Sequence, residues 1–178
     1  PRAQAESPPR TTGGEGGERF EVPPELVPRR RPSMVISQDP ALLRELVRRN
    51  PQDPDAWCAL ASTMLASDPG GAMGAYQRAL ELEPSHVLAL NNAGHIHASV
   101  RGEVGEGEAC YRKALLLDPA NTAAKVNLAV LLYSQKEPPA WQEAEELFVG
   151  ALEGEPEHYQ GMINYANFLL ERPLPDLD

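Results

Sequence analysis

The chain reads as an all-α protein, a right-handed solenoid of helical hairpins with about three full repeats between two half repeats. Three observations lead there. Pro51, Pro84, Pro119 and Pro156 recur at intervals of 33, 35 and 37 residues, and a self-similar period in that range marks a helical solenoid. Each proline stands six residues ahead of Trp57, Leu90, Lys125 or Met162, where an amphipathic stretch begins. Small and aromatic residues keep the same register: Ala72, Tyr76 and Ala79 before Pro84, then Gly107, Tyr111 and Ala114 before Pro119, then Ala144, Phe148 and Ala151 before Pro156.

The elements follow in order. Residues 1–38 carry Pro8-Pro9, Gly13-Gly14, Gly16-Gly17 and Pro23-Pro24 with almost no apolar periodicity. Such a segment cannot bury enough surface to offset the entropy of ordering, so a flexible arm is expected. Residues 39–172 form the repeat domain, with helices expected over 40–49, 54–66, 71–83, 87–100, 104–117, 122–134, 140–153 and 158–171. The first is a lone second-type helix and the last a lone first-type helix. Asp68-Pro69-Gly70-Gly71, Arg101-Gly102 and Glu137-Pro138-Pro139 supply the turns within hairpins. Residues 173–178 are a short tail.

Forward of each proline the columns continue. Leu60, Ala93, Leu128 and Tyr165 share one, Ala61, Gly94, Ala129 and Ala166 the next, and Met64, His97, Leu132 and Leu169 a third. Spacings of three and four place them on one helix face. Ala or Gly at a helix crossing permits axes to approach within about 8 to 10 Å, and the aromatic column fills the space beside it.

This pattern resembles the tetratricopeptide repeat, column by column, from about Asp39 to Arg172. Departures are Lys125 at a bulky position, His97 and Leu132 at a Tyr position, and Gly107 where Ala is usual. The resemblance implies that the first helix of each pair lines a concave groove. Counting around those helices, the groove face holds Asn91, Asn92 and His95, then Val126, Asn127, Val130 and Tyr133, then Ile163, Asn164 and Asn167. Asn92, Asn127 and Asn164 form one column, with Ala59 as its first member.

Asparagine is a mediocre helix former, and three in register invite an explanation. A carboxamide pairs with both the C=O and the N–H of an extended peptide, whatever that peptide's sequence. The plainer reading is that these side chains bridge neighbouring helices. Some relatives in this resemblance grip acidic C-termini with Lys and Arg on the same face. Here Cys58, Asn91, Val126 and Ile163 stand at the lysine positions, and Ala59, Asn92, Asn127 and Asn164 at the arginine positions, so a chaperone co-factor role is disfavoured.

Composition sets further bounds. Net charge is −10; six Arg against five Glu leave the first 38 residues at +1 and the remainder at −11. An acidic body repels phosphate, which argues against nucleic acid as a partner. No run of about 18 apolar residues is present to span a membrane. Cys58 and Cys110 are too few and too far apart for a disulfide framework or a zinc cluster, which fits reduced thiols and an intracellular, cytoplasmic setting. His95 and His97 point about 200° apart on a helix, so a shared metal is not expected, and His86 and His158 read as loop or cap residues. No phosphate loop, nucleophile elbow or catalytic constellation occurs, so neither a cofactor nor an enzyme activity is expected.

Two features remain. Arg29-Arg30-Arg31-Pro32-Ser33 resembles a target of basophilic kinases, with Ser33 as acceptor, against the alternative of an uncommitted basic linker. The last helix is apolar on more than one face, so a cover is expected, either a further repeat, a second copy of the chain or the tail Pro173-Leu174-Pro175-Asp176-Leu177 folding back, with Phe168 as the exposed anchor. The expected function is a non-catalytic module binding another protein or an extended peptide in its groove. The alternatives are a substrate-recruiting region of a larger enzyme such as a glycosyltransferase, and a self-assembling scaffold.

Overall fold

The computed structural model describes residues 38–173. Among them eight α-helices follow one another: α1 (Pro40–Arg49), α2 (Pro54–Met64), α3 (Pro69–Leu82), α4 (Val87–His95), α5 (Val104–Leu117), α6 (Thr122–Ser134), α7 (Trp141–Gly154) and α8 (Tyr159–Glu171). A π-helical turn, Ile96–Val100, extends α4. The expected helices are all present. The segment expected to be an arm, Ser33 within it, and most of the tail lie outside the described residues.

Helix starts are written in the sequence. Asp39, Asp53 and Asp68 cap α1, α2 and α3 through side-chain oxygens that accept backbone N–H groups, each followed by proline in the first turn. Proline costs little there because its missing N–H has no partner in any case. Asp68 and Pro69 therefore belong to the start of α3, two residues earlier than the glycines suggested. Asn121 caps α6 in the same way. His86 and His158 cap α4 and α8 with Nδ1 as acceptor, as their position after the repeat prolines led us to expect. A cap of this kind contributes about 1 kcal/mol.

Hairpins α2/α3, α4/α5 and α6/α7 pack most closely, and each pair then stacks on the next. The first helices α2, α4, α6 and α8 also touch one another in series, whereas no two of α1, α3, α5 and α7 make more than marginal contact. The array therefore curves with the first helices on its inner side. This is an all-α helical solenoid, without strands among the described residues.

The core is the column pattern made solid. Ala61, Ala72, Ala79, Ala114, Ala129, Ala144 and Ala151 are fully buried, and Tyr76, Tyr111 and Phe148 fill the space beside them. Lys125, the departure at a bulky position, reaches from α6 to α7 and donates from Nζ to the Gly150 carbonyl at 2.9 Å.

Gly107 has a steric reason. The π turn carries Ala98 toward α5, and a Cβ at residue 107 would lie 2.8 Å from the Ala98 Cβ and 3.2 Å from its backbone N. No side chain fits there. Gly102, at φ +70°, then reverses the chain in a conformation that suits glycine.

Candidate functional site

The first helices present their residues in columns, and burial sorts the columns by what they meet. Counting from Trp57, Leu90, Lys125 and Met162, the next position holds Cys58, Asn91, Val126 and Ile163. The first three are 1%, 6% and 2% exposed, and Ile163 is 56% exposed. Each of these residues faces the following first helix, and only α8 has none after it among the described residues. The column seven further on repeats this: Ala98 and Tyr133 are buried and Leu170 is exposed. These two columns form the seam between repeats.

Three expected groove residues, Asn91, Val126 and Tyr133, therefore lie in the seam and not on the groove surface. Asn91 accepts a hydrogen bond from Asn127 Nδ2 at 3.1 Å, which joins α4 to α6. Tyr133 turns into an aromatic cluster with Trp141, Phe148 and Phe168. Ile163 is exposed at the open end of the same seam.

The inner surface is made by other columns. Ala59, Asn92, Asn127 and Asn164 are all half-buried. Beside them, Ser62, His95 and Asn167 are exposed and Val130 half-buried. A further column, Ala66, Ser99, Ser134 and Glu171, is exposed throughout. Ser99 and Ser134 were not singled out from the sequence, although they sit four residues after His95 and Val130 and so one turn along the same face. No Lys or Arg occupies these columns.

The asparagines already have partners. The Tyr76 hydroxyl pairs with Ser62 Oγ at 3.0 Å, which joins α3 to α2, and the Asn92 side chain of α4 lies near enough to act on that phenol. Burial pushes the Tyr76 phenol above its usual range, with the hydrogen bonds of Ser62 and Asn92 acting in the opposite sense. Asn164 accepts from Gln160 Nε2 at 3.1 Å within α8. The bridging of helices expected as the plainer reading is present for Asn127, which reaches Asn91 across α4 and α6. Each carboxamide can form more bonds than these partners engage.

His95 and His97 do not converge. His95 is exposed, with Ser99 Oγ 3.4 Å from its Nδ1, whereas His97 is paired with Glu103 across the π turn. Among the described residues no group of His, Cys, Asp and Glu could hold a metal ion. Burial pushes the Cys58 thiol up to about 12, with Asp55 adding to the effect, so it stays protonated at neutral pH. No helix among the described residues is long and apolar enough to cross a membrane.

Phe168 corrects an expectation. It is fully buried, with ring centroids 5.4 Å from Tyr133, 5.5 Å from Phe148 and 5.8 Å from Trp141. Its column is Thr63, Ile96, Leu131 and Phe168, which faces the preceding repeat and is covered there. The exposed apolar residues of α8 are Tyr159, Met162, Ile163, Leu169 and Leu170 instead.

No protein-family profile matches the chain, and no curated protein matches it. Solved structures do. TTC0263, a thermophilic TPR protein of Thermus thermophilus, superposes with a TM-score of 0.61 at 22% identity, over 74% of this chain and 71% of that one. PilF of Pseudomonas aeruginosa gives 0.63 at 22%, over 74% of this chain and 59% of that one. The Arabidopsis OM64 TPR domain gives 0.57 at 17% identity, over 67% of this chain and 96% of that one. The fold is that of tetratricopeptide-repeat proteins.

Proposed function

We propose that the chain is a non-catalytic protein-interaction module that holds an extended segment of another protein along its inner face. The observation that carries this is the column Asn92, Asn127, Asn164, half-buried at one height on three consecutive first helices. Helices about 10 Å apart match three residues of extended chain at about 3.3 Å each, so one carboxamide meets every third residue.

A carboxamide reads backbone and not side chain, and each bond contributes about 0.5 to 1.5 kcal/mol net. The neighbouring residues set what else the segment needs. Ser62, Ser99 and Ser134 add hydroxyls, Val130 a patch of apolar contact, and His95 and Asn167 further polar groups. Lys125, a cation on α6, is turned to the Gly150 carbonyl. An uncharged or mixed segment fits this face better than an acidic C-terminus. The likeness to TPR structures, the OM64 TPR domain among them, supports an interaction role.

The test is selection of a random peptide library on the full chain, followed by titration of a recovered peptide. Asn127→Ala and Asn164→Ala are expected to weaken binding several-fold each, with unchanged helicity. Equal affinity for wild type and both variants would place the peptide elsewhere.

A further inference from the structure

The inner face is bordered by charge of one sign. The turns that lead into the first helices hold Asp53, Glu83, Asp118, Glu155 and Glu157 and neither Lys nor Arg, whereas the turns that leave them balance three acids with three bases. The first helices themselves add Asp55, Glu171 and Lys125, and Lys125 is turned to the Gly150 carbonyl. Helices and both edges together therefore carry ten acids against four bases, so the groove draws a basic segment. Apolar contact is on offer as well: Leu88, one turn before Asn92 on the same face, is 54% exposed, and Val130 is half-buried.

A segment of matching chemistry stands in the chain itself. Glu25-Leu26-Val27-Pro28-Arg29-Arg30-Arg31-Pro32-Ser33-Met34 carries three Arg against one Glu, with Leu26, Val27 and Met34 as apolar groups. Pro28 and Pro32 bias the residues before them, Val27 and Arg31, toward extended backbone, the form a row of carboxamides reads.

We infer that residues 25–34 of the same chain occupy the inner face, so that the groove is self-blocked until a partner displaces them; this rests on the reading of that face as a peptide groove. The lengths agree. Helix α1 packs on α2, the first of the groove helices, so the chain before Asp39 joins the described fold beside one end of the groove. Val35 to Gln38 span about 13 Å when extended, more than one helix spacing of about 10 Å, and ten residues span about 33 Å, enough to cross four first helices. Tethering does the rest. A short linker holds the segment at an effective concentration of order 1 mM, so a segment with a Kd of about 0.1 mM in trans fills the groove and weakens an external peptide about ten-fold.

The experiment places a photoreactive side chain at position 92 of the full chain without ligand, and separately at the exposed Leu116 of α5. Digestion of the monomer-mass product is expected to show residues 25–34 joined to position 92 and not to 116, with less product in high salt. The triple variant Arg29→Glu/Arg30→Glu/Arg31→Glu is expected to lose most of that product and to bind a library-selected peptide about ten-fold more tightly than wild type. No cross-link from 92 to the segment, equal cross-linking from 116, a product that joins two copies, or equal peptide affinity of wild type and triple variant each overturns the inference. These outcomes leave the groove reading intact. That reading fails separately, if Asn127→Ala and Asn164→Ala leave the affinity of the selected peptide unchanged.

Discussion

Gly107 shows how a single residue records its neighbour. Its column is otherwise alanine, and the departure follows from Ala98, which the π turn brings within 2.8 Å of where a Cβ would sit. Gly107→Ala is expected to destabilise by about 1 to 3 kcal/mol through forced displacement of a packed backbone, measured by urea unfolding. The opposite lesson comes from Phe168. Its apolar surroundings on α8 suggested an exposed anchor, yet its column runs through Ile96 and Leu131, both buried. Phe168→Ala is therefore expected to cost about 3 to 5 kcal/mol of stability, a cavity effect, and not to act primarily on association.

At the scale of elements, charge ties consecutive second helices together where their packing is slight. Arg112 on α5 reaches Glu143 on α7 at 2.7 Å and Glu108 at 2.9 Å, and Lys136 after α6 reaches Glu108 at 3.0 Å. Partial burial raises the Glu108 carboxyl, but the hydrogen bonds and charges of Lys136 and Arg112 outweigh it and hold it below its usual value. A carboxyl whose folded value is depressed contributes stability that is present above its unfolded value and lost as pH falls through the folded one. Acid unfolding is thus expected to begin later for Glu108→Gln relative to its own neutral-pH stability, a flatter pH profile than wild type shows. Identical profiles would mean that solvent screens the cluster.

The elements were legible in the sequence because the repeat prolines and the columns around them fix where each pair lies; Asp39, Asp53, Asp68 and Asn121 add caps at α1, α2, α3 and α6, whereas α5 and α7 start with no side-chain cap. The site was legible only in part. Helical periodicity says which residues share a face, but not which neighbour that face meets. Asn91 and Asn92 are adjacent and equally polar. One is buried in the seam against Asn127 and the other sits at the inner surface, a distinction set by the curvature of the stack. The π turn was hidden for the same reason, since it answers a close approach to α5 and not a local preference.

At the scale of the whole molecule, curvature toward the first helices gathers Asn92, Asn127 and Asn164 on the inside, and that inner face suits an extended segment. The central claim is that ligand lies on the inner face. A photoreactive side chain placed at Asn92, and separately at the exposed Leu116 of α5, tests it when a selected peptide is bound and the cross-linked product is weighed. Cross-linking from position 92 and none from 116 is the expected result; cross-linking from 116 and none from 92 would contradict the account.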